Sequence, residues 1–146
     1  MATLYEKDAY AWALEQAALL RAGKLDLIDS QNIAEEIESM GKSERRALIS
    51  QLARLLMYRL KWDHQPERRS RSWQLTIVDA REKSLRLLKD SPSLKSSLEA
   101  LLDDAYEDAR RAAAIETELE NTFPEQRLYH ANELLSPSDD ELPEKH

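Results

Sequence analysis

At 146 residues with a net charge of −7, the chain is long enough for one domain with a core and too short for two of ordinary size. Hydrophobic residues at 42%, charged residues at 34% and only two glycines describe packed helices rather than a turn-rich β-sandwich. The lack of cysteine excludes a disulfide framework, a thiolate metal site and a catalytic cysteine.

No apolar run approaches the roughly 20 residues of a membrane span. Glu6, Asp8 and Glu15 fall where a signal peptide needs an uncharged core. The expectation is an all-α, single-domain bundle of about five helices over residues 1–135, in the cytoplasm, with a disordered acidic tail over 136–146. Net charge hides an asymmetry: residues 42–89 hold 13 basic and 5 acidic side chains, whereas the remainder holds 8 and 23. Opposite charges packing on one another inside the domain is the simpler account; a surface for an anionic partner is the sharper one.

Thr3-x-x-Glu6 has the spacing of a capping box and predicts a helix running to about Ala22, closed by Gly23. At 100° per residue Tyr10, Leu14, Ala17 and Ala18 share a face, with Trp12 and Leu19 roughly opposite, so both faces call for cover. Asp29 or Ser30 can cap a short second helix with the stripe Ile33, Ile37 and Met40, ending at Gly41. Glu35, Glu36 and Glu38 spread over more than half its circumference, which reads as a solvated face rather than a metal or acid/base site.

Ser43 begins the third helix, carried to about Trp62, with Leu48, Ile49, Leu52, Leu55, Leu56, Leu60 and Trp62 on one broad face. Arg45 and Arg59 fall on that same face. A guanidinium does not deprotonate, so if buried it needs a carboxylate or a wet recess. Ser70 or Ser72 caps the fourth helix, whose inward positions are Trp73, Ile77, Ala80, Ser84, Leu87 and Leu88. Ser91-Pro92 opens the fifth. Its stripe runs from Leu94 through Leu98, Leu101, Leu102, Ala105, Ala109 and Ala112, and Glu116 lies on it. Glu116 or Glu36 is the natural counter-charge for Arg59 or Arg45. A short helical turn is expected within 130–135.

The stretch from Lys61 to Trp73 is the one break between the two long helical segments, and it gathers Lys61, Trp62, Arg68, Arg69, Arg71 and Trp73. Guanidinium groups grip phosphates bidentately and indoles stack bases, which makes these six a candidate binding surface. The alternative is that both tryptophans anchor the core and the arginines pair with acidic neighbours. No paired Glu-x-x-His, Gly-rich phosphate loop or Gly-x-Ser-x-Gly is present, so no metal, cofactor or catalytic residue is assigned.

Several of these segments together resemble the bacterial domain-of-unknown-function family 29, abundant in cyanobacteria and found in proteobacteria. They are Tyr10-x-Trp12, Leu20-Arg21-Ala22-Gly23, Glu35-Glu36-Ile37 to Gly41, Ser43-Glu44-Arg45-Arg46, Leu60-Lys61-Trp62 with Gln65-Pro66 to Trp73, and Ser91-Pro92-Ser93-Leu94. The resemblance covers nearly all of 3–135 and implies an all-helical domain with no established activity. The resemblance places His-Leu in many family members where this chain has Tyr58-Arg59, so any enzymatic role that used that histidine would not carry over to this chain.

The functional expectation is an interaction or accessory domain acting through a protein partner or self-association. Binding of nucleic acid or another polyanion through residues 42–89 ranks second, and an enzyme last.

Overall fold

The computed structural model describes residues 1–136, so the expected disordered tail lies outside the described residues except for Ser136. Among the described residues there are six α-helices, two 3-10 turns and no strand. This is the all-α class that composition and periodicity imply. Contacts divide the chain into two compact units, residues 1–43 and residues from 44 onward.

The first unit contains α1 (Leu4–Lys7), α2 (Ala9–Arg21) and the beginning of α3 (Ser30–His64). The Thr3 hydroxyl accepts a hydrogen bond from the Glu6 N–H at 3.3 Å, as the capping box predicts. The helix does not continue unbroken to Ala22, because Asp8 leaves the helical region at φ −152°. Its carboxylate then accepts from the Ala11 N–H at 3.0 Å, so the residue that stops α1 also starts α2. Gly23, at φ 71°, closes α2 in the left-handed conformation open to glycine.

Asp29 is the hub of this unit. Its carboxylate accepts from the Trp12 indole N–H at 3.1 Å and the Asn32 side-chain amide at 2.7 Å, while its own N–H donates to Gln16 at 2.7 Å. The Asn32 hydrogen bonds hold the Asp29 carboxyl below the usual carboxylate range, and the loop is thereby pinned to both helices.

Gly41 does not end a helix. The expected short second helix and the third are one 35-residue helix, α3, with Gly41 in its interior and no positive φ there. Glycine costs about 1 kcal/mol relative to alanine in a helix. That is too little to break a run whose neighbours are glutamate, methionine, lysine and arginine.

The second unit is built from α3 after residue 43, α4 (Arg71–Asp90) and α5 (Leu98–Thr117). Arg54 of α3 meets Asp79 of α4 at 2.7 Å, whereas Lys61 lies against Trp73, so these two helices run antiparallel. Arg45 meets Asp104 and Lys61 meets Glu116, so α5 runs in the same direction as α3. The predicted stripes supply the core: Leu48, Leu52, Leu55 and Leu56 pack with Ile77, Ala80, Leu101, Leu102 and Ala105, all fully buried. Ser84, also fully buried, satisfies its hydroxyl on the Ala80 carbonyl at 2.8 Å.

Ser70 is the cap of α4, accepting from the Trp73 N–H at 3.2 Å. Pro92 opens a 3-10 turn over Pro92–Ser97 instead of the α-helix itself, which begins at Leu98. Beyond Glu118, at φ 58°, residues 118–135 form a strap that ends in α6 (Ala131–Leu134). Phe123 and Leu134 bury their side chains in the core, and polar side chains hold the strap's backbone. Arg81 donates to the Leu134 carbonyl at 2.8 Å, Arg110 to the Phe123 carbonyl at 3.2 Å and Tyr106 to the Pro124 carbonyl. Arg127 bonds both Glu99 (2.7 Å) and Asp103 (3.0 Å) on α5.

Candidate functional site

The segment from Lys61 to Trp73 closes α3, makes a 3-10 turn over Pro66–Arg68 and opens α4. Its six candidate residues separate into an inner and an outer set. Lys61 is inside, 3% exposed, with its ammonium 2.6 Å from the Glu116 carboxylate. The Tyr58 ring centroid lies 4.4 Å from that ammonium and the Trp73 centroid 4.7 Å. One cation thus joins side chains of α3, α4 and α5. An ammonium over two aromatic faces with one carboxylate is satisfied without water, which is what permits a lysine to sit among leucines.

Trp62 is 5% exposed and belongs to the core. The Arg69 guanidinium stacks over its ring at 4.8 Å, and Arg69 Nε donates to the Trp62 carbonyl at 2.8 Å. The indoles of this segment therefore carry the chain's own cations, Arg69 on Trp62 and Lys61 on Trp73. Arg68, Arg69 and Arg71 are exposed. Among the described residues no carboxylate forms an ion pair with any of the three.

The charge pairings differ from those anticipated. Glu116 takes Lys61, not Arg59 or Arg45. Arg59, half-buried, reaches Asp63 one turn along α3 at 3.4 Å, and its guanidinium lies over the Tyr129 ring of the strap at 5.6 Å. Arg45 and Asp104 meet at 3.2 Å with both side chains about half exposed, a surface pair worth under about 1 kcal/mol. Glu36 accepts from the Tyr5 hydroxyl inside the first unit, which pushes that phenol up to about 12. The physical reason lies in helical phase: residues 59 and 61 are about 200° apart around α3, so they face different neighbours. A stripe count places Arg59 inside but cannot see that Lys61 reaches the end of α5.

The polar groups around the strap were not legible as a set. Tyr129 donates to Asp63 at 2.5 Å, and burial first, then that carboxylate, raises the phenol well above its ordinary value. The Arg127 hydrogen bond holds the Glu99 carboxyl low. Burial lowers Arg81, and the nearby Arg59 charge lowers it further. These contacts fasten the strap, and among the described residues no group of three or more metal-binding side chains comes together.

A second candidate surface lies in the first unit. A cleft of about 330 Å³ runs between α2 and the start of α3, lined by Trp12, Ala17, Leu20, Ile33, Ile37 and Met40 among others. Of its lining, Ile37 and Met40 are 59% and 65% exposed. α2 is two-faced as its spacing predicts: Trp12, on the cleft side, is covered, whereas Tyr10 and Leu14 are exposed and do not line the cleft.

The family model described as "Domain of unknown function DUF29" matches residues 4–138, and the chain belongs to that family. No curated protein and no solved structure matches it.

Proposed function

We propose that this family member is a helical interaction module whose docking surface is its first unit, and that the occupant is the same unit of a second copy of the chain. The observation that carries this reading is the apolar cleft of 1–43, with Ile37 and Met40 of its lining exposed. Within these 43 residues Trp12 is the buried hydrophobic side chain, which is too little core for a hairpin of this size to hold itself together unaided. Contiguous exposed apolar surface on such an element marks a contact site.

A second copy fits because the surface is self-complementary. Ala13 and Ala17 line the cleft with small side chains, while Leu20, Ile37 and Met40 supply projecting ones. Two such hairpins related by a two-fold axis bury ridge in cleft on both sides, giving a four-helix arrangement with an isologous interface. The proposed setting is the cytoplasm; no described helix is long and apolar enough to cross a membrane.

Light scattering across a dilution series tests it. Wild type should approach twice the chain mass of 16.9 kDa as concentration rises. The Ile37→Lys, Met40→Lys double variant should stay at the single-chain mass with unchanged helicity. A wild type that remains monomeric at every concentration overturns the second copy as occupant.

A further inference from the structure

We propose that the turn carrying Arg68, Arg69 and Arg71 binds the phosphodiester backbone of duplex nucleic acid, reading charge and not bases. Three guanidinium groups lie within four residues of an exposed turn, and among the described residues none forms an ion pair with a carboxylate. Glu67 stands in the same turn, but the first turn of α4 brings no acidic residue to neutralise it. The frame is rigid. Arg69 is fixed by its hydrogen bond to the Trp62 carbonyl and its stack on the Trp62 ring, and Ser70 caps the helix that follows. Guanidiniums held on a rigid frame lose less entropy on meeting phosphate.

The geometry also selects among anions. Binding of single strands draws on aromatic faces for stacking, at about 1 to 3 kcal/mol per base. Here Trp62 is buried under Arg69, and Trp73 has Lys61 over its ring. With no base platform offered, the contacts left are to phosphates, which fix position and carry no sequence information. A membrane surface fits less well: polybasic attachment uses about 4 to 8 clustered basic residues, and interfacial tryptophans are its usual anchors.

Fluorescence anisotropy with two duplexes of unrelated sequence, a single strand and anionic vesicles tests the proposal on the full chain. Three phosphate contacts give a salt slope of about −2.7, so affinity for either duplex should fall roughly 40-fold between about 50 and 200 mM salt. The Arg68→Ser, Arg71→Ser variant leaves Arg69 on Trp62. It should retain the wild-type melting temperature yet fall only about 3- to 4-fold over the same range, as one remaining contact requires. Overturning results are no duplex binding at low salt, an unchanged slope in the folded variant, dependence on duplex sequence, tighter binding of the single strand, or tighter binding of vesicles. Should the double variant melt early, Arg68→Lys, Arg71→Lys replaces it: retained charge must restore the wild-type slope, and failure to do so counts against the site.

Discussion

The two units of this chain treat apolar surface in opposite ways. Among the described residues from 44 onward, seventeen hydrophobic side chains are buried in one cluster, and even a lysine and an arginine are taken inside with partners. In residues 1–43 Trp12 is the buried hydrophobic, while Tyr10, Leu14, Leu20, Leu25, Leu27, Ile37 and Met40 are exposed. The core of the second unit closes on itself and needs no apolar partner to hold its helices together. A hairpin that exposes its hydrophobic residues has free energy left to gain from a contact, and that difference is what supports the proposed self-association through the first unit.

The largest effect that can break this comparison is a truncation in each unit. Leu101→Ala, in the fully buried cluster, should lose about 2 to 5 kcal/mol in urea denaturation, from lost transfer energy and the cavity left behind. Leu14→Ala, measured in dilute monomer, should stay within about 0.5 kcal/mol of wild type. Equal losses would mean that the hairpin has a core after all.

The buried cation comes next. Glu116→Ala leaves the Lys61 ammonium at 4% side-chain exposure without its carboxylate and should cost about 2 to 3 kcal/mol. Lys61→Met keeps the contact with Tyr58 and Trp73 while removing the charge, and it should cost less than Glu116→Ala. Adding Glu116→Ala to Lys61→Met should then cost almost nothing. If Glu116→Ala is the milder of the two single changes, the ammonium is not held by that pair.

A smaller effect concerns the strap. Glu99 has its carboxyl lowered by Arg127 and then by the Ala131 N–H, so its folded form favours the ionised state. The contribution is present above the ordinary carboxylate range and is lost as pH falls through the lowered folded value. Amide exchange at Ala131 should accelerate as the solution is acidified into that window, and Glu99→Gln should remove the acid dependence. Exchange that ignores pH after correction for its intrinsic rate would contradict this fastening.

The smallest effect separates the two glycines. A Cβ at Gly41 meets nothing within 4 Å and φ is ordinary there, so Gly41→Ala should stabilise α3 by about 0.5 to 1 kcal/mol. Gly23→Ala at φ 71° should destabilise by a comparable amount, measured by thermal melts.

Gly41 also shows how far the sequence was legible. Helical stripes were readable because apolar spacing follows the 3.6-residue period, and Leu48 through Trp62, Ile77 to Leu88 and Leu101 to Ala109 packed as spaced. Gly41 was misread as a stop because a glycine at a helix end and one in its interior look alike until φ is known. The site was legible as a location, not as a set of contacts. Which cation meets Glu116 depends on helical phase to within one side chain's reach, and the Arg127 contacts to α5 span 24 and 28 residues with no periodic signal.

The proposed self-association through residues 1–43, with the core of the second unit closed on itself, is tested most directly by hydrogen exchange as a function of protein concentration. The account predicts that amides of α2 and of the first turns of α3 exchange quickly in dilute solution and gain protection as concentration rises, while amides of Leu52, Ile77 and Leu101 keep the same slow exchange throughout. Protection in α2 that is already equal to that of Leu101 at the lowest concentration, and does not change with it, would contradict the account.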